Sequence, residues 1–426
     1  MDQTIETPID ALSPILGRYF TRTWVRGEGH RLFDDAGRAY LDFACGIAVT
    51  GLGHGHPRVN AAIHAQVDRL VHVSNGLGFI EPVSDLAVRL AATLPAPLDT
   101  VFFANSGTEV IEAALKMARR VSGRPGIIAF DGGFHGRTFG AASVTSSNLN
   151  YRAGYEPLLP GVYLSAFPRV EASATDAPEQ AAEAALAALR DLLATRIPAT
   201  SVASILVEPV QGEGGVNPAP PAFLRGLRAI CDEAGILLIV DEVQTGIART
   251  GWMWAFEAAN VVPDAVCVGK AIANGLPLAA LVAARELHDR WGRGAHGSTF
   301  GGNPVACAAG LAVLDTIAEE DLVVNAAVRG TGLSAGLRAL AADEPRIGQV
   351  RGPGLMVGVE MIDPGTGQPD GELANALIAR CADLGLLVLT AGRQHEVVRW
   401  LPPLDVTAAE IEEGLGIFRQ ALGNLG

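Results

Sequence analysis

Lysine is almost absent from this chain, and the two lysines that remain are the first candidates for chemistry. Of the 32 basic residues, all except Lys116 and Lys270 are arginine. Lys116 follows Glu112 by four residues on a predicted helix, which predicts an ordinary ion pair. Lys270 instead follows an apolar run, and an amine beside apolar surface tends to lose its proton and to attack carbonyl groups. We therefore predict a Schiff-base lysine; a lysine whose stem covers apolar surface at a strand end is the alternative.

A carboxylate stands at the end of another apolar run. Asp241 follows Ile236–Val240, and a carboxylate in such a place costs free energy unless a cation or strong donors compensate for it. A protonated pyridine nitrogen is a suitable partner, because each charge then stabilises the other.

The segment Asn105–Glu109 follows a predicted strand and opens a predicted helix. Gly107 lets backbone amides approach an anion, and a helix N-terminus favours negative charge. The segment is therefore either a phosphate cup or an ordinary serine or threonine cap. Together with a reactive lysine and a buried aspartate, a phosphate cup indicates pyridoxal phosphate, which requires an aldehyde trap, a pyridinium partner and a phosphate site.

The elements that must position these residues are short apolar runs separated by helical patterns, which indicates a mostly parallel sheet in an α/β domain. Open sheets of this kind bind ligands at the carboxyl ends of their strands. The runs are Val101–Ala104, Ile127–Phe130, Ile205–Val207, Ile236–Val240 and Ala265–Val268, and the polar residues that follow them are Asn105 with Ser106, Asp131, Glu208, Asp241 and Lys270.

Composition limits the class of protein. A chain of 426 residues predicts two domains, and the net charge of −14 argues against nucleic acid or an anionic membrane as a partner. The five cysteines are scattered singly, so we expect reduced thiols in a cytoplasmic protein and no metal site. The acidic stretch 1–10 shows no secretory signal, and no apolar run is long enough to span a membrane. Residues 171–199 predict an inserted surface helix.

An ordered series of motifs resembles the class III pyridoxal-phosphate-dependent aminotransferases over essentially the whole chain. This group includes 4-aminobutyrate, acetylornithine and ornithine aminotransferases and the ω-transaminases. The motifs are Gly46–Val49, Gly53–Pro57, Asn105–Glu109, Phe134–Thr138, Glu208–Gly215, Asp241–Gly246, Lys270, His296–Pro304 and Arg399–Leu404.

The resemblance implies an α/β fold of the pyridoxal-phosphate transferase type I. A large domain over residues 55–325 would contain a mostly parallel seven-stranded sheet flanked by helices. Residues 1–54 and 326–426 would together form a smaller α/β domain. It further implies a homodimer or a dimer of dimers, with shared active sites.

The resemblance also implies residue roles around the cofactor. Lys270 would bind its aldehyde and carry the proton transfer, and Asp241 would hold the pyridinium. The other residues expected at the cofactor are Ser106, Gly107 and Thr108 at the phosphate, Phe134 and Val243 on the two ring faces, Gln244 near the ring hydroxyl, Glu208, His135, and Thr299 at the phosphate of the neighbouring subunit. His135 is more easily explained as a structural residue than as an acid or base.

Four residues are implied at the substrate. Arg399 would take the α-carboxylate of 2-oxoglutarate or glutamate, and Glu213 would pair with Arg399 when the bound amine lacks that carboxylate. Arg137 would contact a distal carboxylate, and Ile47 would line the pocket. Arg137 as a surface arginine and Glu213 as a loop charge are the alternatives.

We therefore predict an ω-aminotransferase with a ping-pong mechanism, acting on an ω-amino acid or amine and a 2-oxo acid. The motifs are mixed between the acetylornithine or ornithine type and the 4-aminobutyrate type, so they leave the amino donor open. A racemase or epimerase of the same fold needs the same lysine and aspartate and is the alternative. A non-catalytic cofactor-binding module is disfavoured, because Lys270 is present.

Overall fold

The computed structural model describes residues 11–170 and 177–425. The predicted acidic stretch 1–10 and the first part of the predicted helical insertion, residues 171–176, lie outside the described residues.

Strands and helices alternate along most of the chain. The strands are β1 (Trp24–Glu28), β2 (Arg31–Asp34), β3 (Ala39–Asp42), β4 (Thr100–Ala104), β5 (Gly126–Phe130), β6 (Val162–Ser165), β7 (Val202–Val207), β8 (Val210–Gln211), β9 (Asn217–Pro218), β10 (Leu237–Asp241), β11 (Ala265–Val268), β12 (Ala279–Ala283), β13 (Ile347–Arg351), β14 (Val357–Met361), β15 (Leu386–Leu387), β16 (Leu389–Ala391) and β17 (Val397–Trp400). The helices are α1 (Cys45–Ala48), α2 (Pro57–Arg69), α3 (Glu81–Ala91), α4 (Gly107–Ser122), α5 (Phe139–Val144), α6 (Ala177–Thr195), α7 (Pro221–Ala234), α8 (Arg285–Trp291), α9 (Pro304–Glu319), α10 (Leu322–Asp343), α11 (Gly371–Leu384) and α12 (Ala408–Gly423).

The largest sheet has seven strands in the order β4-β12-β11-β10-β7-β5-β6. Only β12 runs antiparallel to its neighbours, so the predicted mostly parallel seven-stranded sheet is confirmed. All residues of β5, β7, β11 and β12 are buried, which explains their continuous apolar sequences.

Helices cover both faces of this sheet. Ile127 and Ala129 of β5 pack in one apolar cluster with α4, while Ile128 and Phe130 of the same strand pack in another cluster with α7. The alternation follows from the two-residue period of side chains along a strand. The helix α4 ends at Gly123, whose φ of 70° provides the left-handed C-cap.

Two four-stranded sheets are built from the ends of the chain, in the orders β1-β2-β3-β15 and β13-β14-β17-β16. The apolar segment Leu386–Thr390 is divided between them, since β15 pairs with β3 whereas β16 pairs with β17. The first sheet joins the beginning and the end of the chain, which agrees with the expected smaller domain, but the boundaries 1–54, 55–325 and 326–426 stay predictions. No helix within residues 11–170 and 177–425 is both long and apolar enough to cross a membrane.

Candidate active site

All five of the predicted polar strand ends lie along one edge of the large sheet. The strands β4, β5, β7, β10 and β11 run in the same direction, so their carboxyl ends meet there. Ser106 follows β4, Glu208 follows β7, Asp241 ends β10 and Lys270 follows β11. The fifth candidate, Asp131 after β5, has an exposed side chain.

Both oxygens of the buried Asp241 carboxylate are held by the protein. Oδ1 accepts a hydrogen bond from the backbone N–H of Val243 at 3.0 Å, and Oδ2 lies 2.7 Å from Nδ1 of His135. Burial by itself lowers the pKa of His135, but the hydrogen bond and the charge of Asp241 raise this pKa above its ordinary value. His135 is thus placed to orient Asp241, which agrees with a structural role.

Glu208 joins two loops at the same edge. Its Oε1 accepts a hydrogen bond from the N–H of Phe134 at 2.8 Å, and its Oε2 accepts one from the N–H of Gly212 at 3.0 Å. Burial raises the pKa of Glu208 to about 7, while His135 opposes this shift. Glu208 therefore holds the backbone of two loops, at Phe134 and at Gly212, in place.

The N-terminus of α4 is suited to an anion. Ser106 occupies the N-cap position, yet its side chain makes no capping hydrogen bond. Among the described residues, no acceptor is found for the backbone N–H groups of Gly107 and Thr108. Unpaired N–H groups and the helix dipole both favour a phosphate there. Of the two interpretations of Asn105–Glu109, this geometry favours the phosphate cup.

Val243 packs between the phosphate cup and the residue before Lys270. A Cβ added to Gly107 would lie 2.8 Å from Cγ1 of Val243, and one added to Gly269 would lie 3.2 Å from the same atom. Glycine at both positions lets the helix N-terminus and the lysine loop approach Val243 closely. Phe134, the other expected ring-face residue, is partly buried and stacks edge-to-face on Tyr151 with ring centroids 5.2 Å apart.

Lys270 has an unusual backbone and an unusual electrostatic environment. Its φ of 45° lies in the left-handed region, which is uncommon for a residue other than glycine and is typical of functional sites. Burial lowers the pKa of its ammonium, and Arg399 lowers it as well, although Glu213 and Asp241 oppose the shift. A lowered pKa favours the neutral, nucleophilic amine.

A second pair of charged residues consists of Arg399 on β17 and Glu213 in the loop after β8. Arg399 is fully buried, and its Nη1 donates to Oε1 of Glu213 at 2.5 Å and to Oε1 of Gln244 at 3.0 Å. Its Nε and Nη2 have no partner in the part of the chain that the structure describes. Burial raises the pKa of Glu213, but Arg399 and Lys270 outweigh burial and lower it, so the pair is ionised.

The remaining predicted residues lie at different places. Arg137 is exposed beside Phe134, with its guanidinium carbon 6.0 Å from the ring centroid. Ile47 lies in the short segment α1 with φ of 67°, a strained conformation for a β-branched side chain. Thr299 is exposed and makes no side-chain hydrogen bond within the described residues. The structure therefore brings Arg137 to the cup side of the site but gives Thr299 no contact with the site of its own chain.

Comparisons with known proteins now identify the family. The family model for class III aminotransferases matches residues 17–422. The chain belongs to this family. It is 43% identical to an acetylornithine aminotransferase of Methanopyrus kandleri, with 95% of each chain covered. It is 39% identical to the 4-aminobutyrate aminotransferase of Escherichia coli, covering 93% of this chain and 92% of that one. The structure of an (S)-enantioselective ω-transaminase from Thermomicrobium roseum matches with a TM-score of 0.89 at 31% identity, covering 97% of this chain and 96% of that one.

This class III aminotransferase is an enzyme that depends on pyridoxal phosphate, as its family does. The predicted family, fold and cofactor are thus confirmed. The residues present fit that cofactor: the unpaired amides before α4 suit its phosphate, Asp241 suits its ring nitrogen, and the amine of Lys270 suits its aldehyde. Neither the family nor these relatives point to a racemase, so the alternative gains no support.

Two aromatic residues near Arg399 and Glu213 were not among the residues predicted from the sequence. Burial raises the pKa of Tyr19, and Arg399 and Glu213 are close enough to affect it, as they also affect Tyr151. Tyr19 is on the segment before β1 and its hydroxyl donates to the carbonyl oxygen of Thr390 at 3.4 Å. Neither residue follows a strand of the large sheet, so the strand-end pattern could not identify them.

One prediction for a lysine is wrong. Lys116 does not form the expected ion pair with Glu112; its Nζ lies 2.9 Å from Nδ1 of His296. Glu112 instead accepts hydrogen bonds from the hydroxyl of Thr138 at 2.6 Å and from the N–H of Gly140 at 2.8 Å. Backbone and hydroxyl donors on the following loop satisfy Glu112 more fully than one exposed ammonium would.

Proposed function

We propose that this enzyme moves the amino group of an ω-amino acid or simple amine to a 2-oxo acid, such as 2-oxoglutarate or pyruvate, by a ping-pong mechanism. The names of the relatives support this range, since they include acetylornithine, 4-aminobutyrate and ω-transaminase activities. The observation that carries the proposal is the buried Arg399, which is paired with Glu213 and still has unused donors at Nε and Nη2.

This pair suits two successive substrates. When an amine without an α-carboxylate is bound, Glu213 neutralises Arg399 and no charge is left unpaired. When a 2-oxo acid replaces it, Arg399 binds the carboxylate through its remaining N–H groups, for which planar guanidinium geometry is well suited. Arg137 would contact the distal carboxylate, and the strained Ile47 would line the pocket.

Pyridoxal phosphate, when bound, supplies an aldehyde that captures the amine and a ring that accepts electron density from the substrate. Lys270 would take the proton from the substrate Cα and deliver it to C4′, the carbon of the former aldehyde group of the cofactor. Asp241 would keep a proton on the ring nitrogen, with His135 holding the carboxylate in place. The amides of Gly107 and Thr108 would bind the phosphate, while Phe134 and Val243 would cover the two faces of the ring and Gln244 would contact its hydroxyl side.

We also propose a homodimer in which Thr299 reaches the phosphate site of the partner subunit. Thr299 lines a surface cavity of about 710 Å³ together with segments 74–87 and 296–301. The apolar side chains of Leu77, Phe79 and Phe300 are exposed around it, and such a patch is typical of a protein interface. A two-domain division at residues 55 and 325 belongs to the same proposal, as does a cytoplasmic location, which five buried free cysteines support.

The decisive experiment replaces Lys270. The variant Lys270→Ala is expected to lose the visible absorbance of the bound cofactor and at least about a thousandfold of the turnover rate. The matched control is Lys116→Ala, which removes the other lysine and should keep both properties. Normal turnover of the Lys270 variant would reject the assignment.

The amino donor is found from half-reactions followed by absorbance. Suitable donors are glutamate, 4-aminobutyrate, ornithine, acetylornithine and 1-phenylethylamine, each without an acceptor. Loss of donor chirality in the absence of a 2-oxo acid, with no release of a carbonyl product, would instead favour the racemase hypothesis.

A further inference from the structure

The Arg137 side chain is held by aromatic rings alone. Within residues 11–170 and 177–425, no carboxylate lies within ion-pair distance of its guanidinium, and the guanidinium donates no hydrogen bond. Its central carbon lies 4.4 Å from the ring centroid of Tyr151 and 6.0 Å from that of Phe134. A guanidinium over an aromatic face is attracted by the ring quadrupole. Tyr151 is therefore the closer of the two contacts that give this long side chain a direction.

The backbone that carries Arg137 is also fixed. Gly136 has φ of 128°, and a Cβ added to it would lie 2.3 Å from Oγ1 of Thr108. Arg137 thus starts from a loop packed against the phosphate cup. With the backbone this close to Thr108, the contacts of the Arg137 side chain decide where its guanidinium points.

Tyr151 is itself rigidly placed. Its ring meets Phe134 edge-to-face at 5.2 Å and 70°. It ends a short 3₁₀ helix, Leu149–Tyr151, which is capped by Oδ1 of Asn148 accepting the N–H of Asn150 at 2.9 Å. The next residue, Arg152, donates from Nη1 to the carbonyl oxygen of Thr145 at 3.0 Å. The residues before and after Tyr151 thus hold its backbone in place.

The phenol of Tyr151 is subject to the charges of both arginines of the proposed site. Burial raises the pKa of this phenol and Glu213 raises it further, whereas Arg137 and Arg399 lower it, so all three charged groups act on one hydroxyl. On the Arg137 side, Tyr151 lines a cavity of about 200 Å³ together with Phe139, Tyr155 and Leu158.

We propose that Tyr151 is a positioning residue that aims Arg137 at the distal carboxylate and so sets the preference for dicarboxylic over monocarboxylic acceptors. The proposal rests on the proposed function, in which Arg399 takes one carboxylate and Arg137 the other. A monocarboxylic acceptor has no second carboxylate. Removing the Tyr151 ring, and with it the orientation of Arg137, should therefore weaken the binding of dicarboxylates selectively.

The test uses the full-length enzyme loaded with cofactor. Tyr151→Leu removes the ring, and it should raise the KM for 2-oxoglutarate about three- to tenfold relative to that for pyruvate, with kcat changed much less. Tyr151→Phe keeps the ring face and should retain the acceptor preference of the parent enzyme. Tyr155→Leu is the matched control, since it makes the same kind of change in the same cavity wall at a ring that, within the described residues, does not stack on the guanidinium.

A binding measurement separates the effect of Tyr151 on carboxylate binding from any effect on the chemical steps. Calorimetric titration with glutarate, a dicarboxylate that cannot react, should show the same selective loss in Tyr151→Leu relative to butyrate. In an Arg137→Leu background, Tyr151→Leu should add no further loss, because the two residues act as one unit.

The outcomes are distinguishable. If Arg137→Leu lowers dicarboxylate preference but Tyr151→Leu does not, or if Tyr151→Leu weakens both acceptors equally, the positioning role is rejected while the proposed function stands. A selective loss that persists in the Arg137→Leu background also rejects it. If Arg137→Leu itself leaves the preference unchanged, both this inference and the distal-carboxylate role of Arg137 are overturned.

Discussion

Two buried charged pairs in the site differ in how completely the protein satisfies them. At the Asp241–His135 pair, each carboxylate oxygen already has a protein donor. At the Arg399–Glu213 pair, two of the three guanidinium nitrogens have no partner among the described residues. We call the first the closed pair, because the protein already holds both carboxylate oxygens in place while each keeps a lone pair for a ring N–H. We call the second the open pair, because its remaining guanidinium donors are left for a ligand or water.

This difference agrees with how long each ligand would stay bound: the cofactor at Asp241 and the substrates at Arg399. A cofactor stays through many turnovers, so the group that faces its ring benefits from a fixed orientation. In the proposed function, substrates with and without an α-carboxylate would replace each other, so the arginine proposed to bind them would need an internal counter-ion that can be displaced. Rigidity at Asp241 and unused capacity at Arg399 follow from these two requirements.

The largest expected effect is at the closed pair. Asp241→Asn keeps the shape but removes the negative charge, so the ring nitrogen loses the partner that holds its proton. We expect kcat to fall at least about a hundredfold, with weaker cofactor retention on dialysis. Asp131→Asn is the control, because Asp131 also follows a strand at this edge but is exposed. Equal effects of the two substitutions would remove the basis for the comparison.

A smaller and selective effect is expected at the open pair. Arg399→Ala should raise the KM for 2-oxoglutarate about 10- to 100-fold, since charged hydrogen bonds to the carboxylate are lost. The KM for a simple amine should change much less. Steady-state kinetics with both substrates measures the ratio.

The control for Arg399→Ala is Arg346→Ala. Arg346 pairs with Glu344 at 2.7 Å and donates to the carbonyl oxygen of Leu422, so it reports the cost of losing a paired arginine outside the site. If both variants change the two KM values alike, Arg399 does not discriminate between the substrates.

The smallest effect on catalysis is expected at Glu242, the residue that follows Asp241 in the chain. Glu242 is buried beside Asp241 without a cation in ion-pair distance among the described residues, and burial raises its pKa to about 7. Because the folded state holds this proton more tightly than the unfolded state, the protein loses stability as the pH rises from about 4.5 to 7.

Glu242→Gln should remove this pH-dependent loss of stability, because the amide is neutral at every pH. The variant should therefore gain stability relative to the parent enzyme between pH 5 and pH 8, by at most about 3 kcal/mol. Thermal unfolding midpoints of both proteins at the two pH values measure the difference. An unchanged difference between the proteins would show that Glu242 does not titrate in this range.

The strand-end residues could be predicted from the sequence because their positions depend on local patterns. An apolar run of strand length predicts where a buried strand stops, and parallel strands of one sheet end at one edge. Ser106, Glu208, Asp241 and Lys270 were accessible by this reasoning. Arg399 and Glu213 were found only through family motifs, since Arg399 lies on a different sheet, 158 residues after Asp241.

The sequence by itself determined the class of fold, the cofactor chemistry and the edge of the sheet at which it occurs. Only the tertiary structure decided that His135 orients Asp241, that Tyr19 and Tyr151 approach Arg399, and that Lys116 contacts His296 instead of Glu112. The physical reason is range. Periodicity and charge spacing report on neighbours within one element, whereas these contacts join segments whose meeting depends on how separate layers pack.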